Sequence, residues 1–192
     1  MILSDQEIKS EILSNKDFIR TTSSYNIISQ VWPASIDLRL STYFKLFNIK
    51  KWYLLDTKQE IKENIITLKN IESSGKIIIS PWEFLLWSTI ETIKLPTHLV
   101  ARCEWRSSLG RLGLIIHSTA GFIDPWFQWT ITLEIKNINS IPIVLYYWMR
   151  ICQLAFEKIY WTVETPYNLR KSSKYMWQIY PEESRIYKDK IY

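Results

Sequence analysis

The chain has 192 residues, 47% hydrophobic and 22% charged, an ordinary balance for one globular domain or one domain with an appendage. Its net charge of +5, from 24 basic and 19 acidic residues, is weak ground by itself for a phosphate-bearing partner. No apolar run approaches the roughly 18 residues of a membrane span, so no membrane partner is expected.

The opening MILSDQEIKSEIL lacks the basic start and apolar block of a secretory signal, which makes the cytoplasm the expected compartment. Ser4-Asp5-Gln6-Glu7 has the form of a capping box, and Ile8, Ile12 and Leu13 follow as an apolar stripe. Together they predict a short amphipathic helix near residues 5–13. From about Ile36 the signals are mostly β. ASIDLRL alternates, IIIS is a short buried run, and TITLEI, IPIVLYY and ICQLAF are strand-like, punctuated by Pro33, Pro81, Pro96, Pro125 and Pro142. Many short strands at turn-bounded spacing predict a sandwich or barrel. Residues 56–70 fit either a charged loop with a helical turn or a further hairpin. The tail from about Tyr167 reads as an extended arm. Cys103 and Cys152 fit no metal-ligand or redox spacing and read as buried, reduced thiols.

Three segments carry chemistry. In EWRSSLGRLGL, Arg106 and Arg111 offer planar donor forks suited to phosphate or carboxylate, and Ser107 and Ser108 add short polar groups near the backbone. Surface arginines beside a serine turn would look the same. In HSTAGFIDPWF, His117 has the ordinary reading of a core or surface histidine, and Asp124 that of a turn-former before proline. Glu134 sits mid-strand on the face of Thr130 and Thr132, opposite Ile131, Leu133 and Ile135. It is either a solvated strand residue or a pocket-facing proton shuttle. Tyr167, Lys174 and Gln178 lie in a polar, aromatic tail that could close over a ligand or end as a mobile terminus.

Taken together these segments resemble the dCTP deaminase family, which shares its fold with trimeric dUTPases. MILSDQEI, PASIDLRL, PWEFLLWSTIETIKLP, RSSLGRLGL, HSTAGFIDPWF, ITLEI, MRICQLAF, PYN, KYMWQ and SRIYKD follow the family's order and spacing over nearly the whole chain. The resemblance implies a mainly β, jelly-roll-like distorted barrel of the dUTPase type, a single domain over residues 1–192 with 167–192 as an arm. It implies a homotrimer with nucleotide bound between neighbours. Glu134 falls on the family's catalytic glutamate, with Arg111 supporting it and Ser107 and Ala120 holding the attacking water. Arg106, Ser107, Ser108, Leu109, Gly110, Arg111, Asp124, Thr132, Leu133, Glu134, Gln153, Tyr167, Lys174 and Gln178 match nucleotide-binding positions. The main expectation is deamination of dCTP to dUTP and ammonia, with dTTP as feedback inhibitor and Mg²⁺ riding on the triphosphate. No zinc is expected, since the H-x-E and P-C-x-x-C pattern of zinc deaminases is absent. Gly121-Phe122 and Gln153 also look like the bifunctional, dUMP-forming type, the alternative reading. A non-catalytic nucleotide-binding regulator is a further alternative. An aromatic, basic nucleic-acid binder is set aside.

The family pattern also interprets the composition. Four glycines are few and ten tryptophans many, and together they restore the roughly 7% glycine share of an average chain. Trp82, Trp87, Trp105, Trp126, Trp129, Trp148 and Trp177, and in many relatives Trp32, stand where the family has glycine; Trp52 and Trp161 lie in loops that suit it. In Asp124-Pro125-Trp126-Phe127, proline at the second turn position asks for positive φ at the third, a conformation made for glycine. The expectation is that UGA codons meant as glycine are read here as tryptophan.

Overall fold

The capping box forms as its sequence specifies. In a computed structural model describing residues 1–21, 25–48, 53–71, 75–116 and 121–189, Ser4 N donates to Glu7 Oε2 at 2.9 Å, and Glu7 N donates back to Ser4 Oγ at 3.4 Å. This opens helix α1 (Asp5–Ser14), which buries Ile8 and Ile12 while Leu13 faces solvent. Leu3 N donates to Phe156 O, and Lys158 Nζ reaches Glu7 Oε1 at 2.6 Å, so the helix is tied to the sheet at its first turn.

The described strands are β1 (Ile19–Arg20), β2 (Val31–Trp32), β3 (Ser35–Phe47), β4 (Ile66–Asn70), β5 (Lys76–Ile79), β6 (Phe84–Thr89) and β7 (Thr92–Lys94). They continue as β8 (Leu99–Trp105), β9 (Leu114–Ile116), β10 (Phe122–Ile123), β11 (Gln128–Trp129), β12 (Thr132–Asn137), β13 (Ile143–Tyr146) and β14 (Arg150–Lys158). A single helical turn, α2 (Ser107–Gly110), joins β8 to β9. The main sheet runs β10-β8-β14-β3-β6-β12-β9, with β2 and β4 also on β3. Smaller sheets are β1-β7-β11 and β13-β5, and all of these strand pairs are antiparallel.

The 13-residue β3 is the strand around which the sheet curls. Its first half pairs with β14 and its second with β4 and β6, with irregular register between Leu40 and Phe44. ASIDLRL thus marks only the start of this strand. The segment left open at 56–70 resolves into turns followed by β4. The result is a curled, half-barrel, jelly-roll-like fold around a core that includes Ile36, Leu38, Leu85, Leu133, Ile135, Leu154 and Phe156. Cys103 and Cys152 are buried and free, and burial together with their mutual hydrogen bond, the larger cause, pushes the Cys152 thiol up. No described helix is long and apolar enough to cross a membrane.

Candidate functional site

Two cavities collect most of the predicted residues. The first, about 420 Å³, is polar, and its floor is a row across three neighbouring strands. Asp37 of β3 stands opposite Gln153 of β14, which stands opposite Glu104 of β8. Above the row, Arg106 follows β8 in extended conformation as the cap of α2, which carries Ser107 and Ser108 outward while Leu109 anchors it in the core. Asp37, 1% exposed, is neutralised by two arginines, with Arg106 Nε at 3.5 Å and Arg150 Nη1 at 3.4 Å. Its Oδ2 accepts from Trp32 Nε1 at 2.8 Å, whereas Oδ1 accepts no hydrogen bond. A carboxylate this buried needs such partners to offset the hydration it has lost.

The second cavity, about 450 Å³, is mostly apolar, lined by Phe84, Phe122, Phe127 and Ile131 among others. Its polar lining includes Asp124, Thr132, Glu134, Tyr167, Gln178 and Glu182. Period-two alternation in β12 puts Leu133 and Ile135 in the core and turns Thr132 and Glu134 the other way. The strand begins at Thr132, two residues later than the alternation suggested. Thr130 is buried instead, donating its hydroxyl to Gln178 O at 2.8 Å. The tail forms one wall. Tyr167 N donates to Pro125 O at 3.0 Å, its ring packs 5.9 Å from Phe127, and Gln178, 3% exposed, accepts from Thr132 Oγ1 at 2.8 Å. Burial pushes the Glu182 carboxyl above its ordinary range despite the nearby Arg185. Carboxylates in a largely apolar cavity with a few fixed polar groups can exchange protons with a ligand and orient it.

The two cavities share no lining residue. Glu134 lies across Leu86 from Lys45 of β3, and Asp37 is eight residues further back along that strand. The irregular register of β3 between Leu40 and Phe44 falls between the polar floor and Glu134. Arg106, Ser107, Ser108 and Gln153 are therefore gathered, but away from Asp124, Thr132, Glu134, Tyr167 and Gln178. Arg111 and Gly110 are exposed and line neither cavity, while the side chains of Leu109 and Leu133 are in the core. Lys174 Nζ is paired with Asp189 Oδ2 at 2.6 Å. Gly121 accepts from Cys103 N, and Phe122 stacks 5.5 Å from the Arg102 guanidinium. His117 and Ala120 lie outside the described residues. Asp37, Arg150, Tyr175 and Glu182 were missed. For Asp37, a charge inside the alternating run SIDLRL was the available signal.

Backbone conformation singles out the tryptophans. Among the described residues, every residue with positive φ is a glycine (Gly75, Gly113) or a tryptophan: Trp82 at +64°, Trp126 at +67°, Trp129 at +96°, Trp148 at +72° and Trp177 at +66°. Trp82, Trp126 and Trp148 each take the third position of a turn closed by a backbone hydrogen bond, Glu83 N to Ser80 O, Phe127 N to Asp124 O and Met149 N to Tyr146 O. That is the type II position reserved for glycine. Trp129 also buries its indole N–H without a partner. Trp32, Trp87, Trp105 and Trp161 have no positive φ. Trp87 is fully buried and donates Nε1 to Ser41 O at 2.9 Å. Trp52 lies outside the described residues.

A dCTP deaminase-like family model matches residues 2–159. Among similar curated proteins, one from Dictyoglomus thermophilum is 44% identical over 97% of this chain and 95% of its own. One from Coprothermobacter proteolyticus is 45% identical over 98% of each, and one from Methanobrevibacter smithii is 42% identical over 96% and 95%. A crystal structure of the dCTP deaminase from Agrobacterium tumefaciens superposes with a TM-score of 0.62 at 20% identity, covering 81% of this chain and 46% of that one, a likeness of fold. The three curated relatives are named dCTP deaminase, dUMP-forming, which corrects the expectation that the reaction stops at dUTP. The deaminating carboxylate is common to both readings, so it could not separate them; Gly121-Phe122 and Gln153 were the residues that already resembled the dUMP-forming pattern. On the family model and these relatives, the chain belongs to the dUMP-forming dCTP deaminase family of the dCTP deaminase/dUTPase-like superfamily.

Proposed function

We propose that the protein converts dCTP and two waters to dUMP, ammonia and diphosphate. The observation carrying this reading is Glu134 lining an apolar cavity together with Asp124, Thr132, Tyr167 and Gln178. Water adds to C4 of cytosine. Glu134 takes its proton and passes protons to N3 and to the departing amine, so that ammonia leaves and the uracil carbonyl forms. A second water opens the α–β phosphoanhydride. Arg106, Ser107, Ser108, Gln153 and Lys174 are assigned to the triphosphate, and Ser107 and Ala120 to the attacking water. Mg²⁺ would ride on phosphate oxygens and water and offset their charge. Asp37 Oδ1 is buried and already faces Arg106 Nε at 3.5 Å, so the metal would be held by the substrate's phosphates and not by this carboxylate. Among the described residues no group of three or more His, Cys, Asp or Glu side chains is set to hold a metal directly.

The two cavities share no lining residue and lie on either side of the irregular stretch of β3. A homotrimer in which one copy supplies the phosphate cavity and Arg111, and its neighbour the base cavity, fits that separation. Feedback by dTTP, which shares deoxyribose and triphosphate with the substrate, and a place in the cytoplasmic nucleotide pool complete the reading. Incubation with dCTP is expected to yield dUMP and ammonia in equal amounts without build-up of dUTP; dUTP as the end product would sink the second step. Glu134→Gln is expected to slow deamination by about 10²–10⁴-fold. An unchanged rate would remove Glu134 from the chemistry.

We also infer that the native chain carries glycine at its ten tryptophan positions, through UGA read as glycine. The five tryptophans at positive φ support this, each strained by about 1–3 kcal/mol. Five such sites approach the whole stability of a typical domain, about 5–15 kcal/mol. UGG codons in the coding DNA, or tryptophan fluorescence from protein made in the native host, would refute it.

A further inference from the structure

The wall that the tail builds against the Glu134 cavity is held by a residue that does not line the cavity. Arg185 makes three connections. Its backbone N–H donates to Tyr175 Oη at 3.0 Å, and its Nη1 donates to Lys174 O at 2.6 Å. Its Nη2 pairs with Glu182 Oε2 at 2.7 Å. Tyr175 and Glu182 both line the cavity. Arg185 thus closes the tail from residue 174 to 185 into a loop, with a guanidinium fork spanning its two ends.

The loop is pinned near the catalytic carboxylate. Glu182 N donates to Thr132 Oγ1 at 3.1 Å, and the same hydroxyl donates to Gln178 Oε1 at 2.8 Å. Thr132 is the next residue before Glu134 on the same face of β12. At the other end, Tyr175 N donates to Tyr167 Oη at 3.1 Å. These ties are single neutral hydrogen bonds, each worth about 0.5–1.5 kcal/mol net, and Lys45 of β3 adds an ion pair to Glu183 that does not reach residues 174 or 175. The Arg185 guanidinium supplies a charge-assisted hydrogen bond to Lys174 O and, from its other nitrogen, an ion pair with Glu182 whose Oε2 accepts no aligned hydrogen bond, and an ammonium cannot reach both ends with one rigid plane.

We propose that Arg185 is a positioning residue that clasps the C-terminal wall shut over the Glu134 cavity, setting substrate affinity and leaving the proton transfers themselves untouched. The proposal rests on the dCTP reading of that cavity. Loss of the fork leaves the wall in place for only part of the time, and substrate must then order it on binding, which appears in KM.

The test compares Arg185→Ala, Arg185→Lys and Glu182→Gln in whichever chain, with tryptophan or with glycine, turns dCTP over. Arg185→Ala is expected to raise KM for dCTP about tenfold or more with kcat within about threefold of the parent. Arg185→Lys, keeping one partner, is expected to fall between, and Glu182→Gln to raise KM in a way that does not multiply with Arg185→Ala. An unchanged KM, a loss confined to kcat, or effects that multiply would overturn the clasp. A second readout needs no turnover: amide hydrogen exchange over residues 175–182 should quicken in Arg185→Ala and Arg185→Lys without added nucleotide. If exchange quickens but the parent does not act on dCTP, the function reading fails and the clasp stands. If exchange is unchanged in both variants, the clasp fails by itself.

Discussion

Trp126 and Trp129 each place an indole at a backbone conformation made for glycine, on the approach to Glu134. Replacing either by glycine relieves about 1–3 kcal/mol of strain, against about 0.5–1 kcal/mol of added unfolded-state entropy. Trp126→Gly and Trp129→Gly are therefore expected to raise the melting temperature, the second more, because it also removes a buried unpartnered N–H. Trp148→Gly should be closer to neutral. Its ring lies 4.1 Å from the Arg39 guanidinium and edge-on to Tyr25, itself 4.2 Å from that guanidinium, and those contacts would be lost with the strain. Trp87→Gly alone should destabilise by about 3–5 kcal/mol, since it empties a fully buried site. Thermal melts of the four single variants check this order, and equal effects at 126 and 87 would show that φ does not govern it. Turnover should be higher in the all-glycine chain than in the chain as written, because Trp105 and Trp32 line the polar cavity that glycine would leave open.

Among the elements, α1 gives the clearest pH response. The Lys158 ammonium, with the Ser4 amide, holds the Glu7 carboxyl down at about 2. A depressed carboxylate pKa contributes stability that is present above the unfolded value of 4.5 and lost as pH falls through about 2. The pair is exposed, so salt should weaken the effect. NMR shifts of Ile8 and Ile12 should report loosening of the helix across that window, and Glu7→Gln should lack the step; matching titrations in both proteins would count against it. This helix was legible in sequence because a capping box is a local code, and β12 was legible because alternation is local too. The far half of β3 was not, since its pairing with β4 and β6 is set by partners distant in the chain. Likewise Glu134 could be found from its face of the strand, whereas Asp37, Glu182 and Arg185 matter through contacts that no spacing encodes.

At the scale of the whole molecule, the proposed homotrimer makes the two cavities on one chain halves of different sites. If each working site takes Glu134 from one copy and Arg106 from its neighbour, two inactive chains can repair one another. Glu134→Gln and Arg106→Ala chains, unfolded and refolded together in equal amounts, are expected to regain about one quarter of the parent rate, the share of sites that draw both intact residues. Recovery no greater than the sum of the separate preparations would show that each chain carries a complete site.

The long strand β3 has a consequence for how the molecule is made. It collects partners from β2 at residue 31 to β14, which ends at Lys158, so its ladder depends on contacts far apart in the chain, the kind that fold slowly. During synthesis the half of β3 bearing Asp37 has no β14 to pair with until four-fifths of the chain has left the ribosome. The row Asp37-Gln153-Glu104 is thus the late-closing seam of the barrel, and a nascent chain stalled before Gln153 would expose an unpaired strand edge to its neighbours.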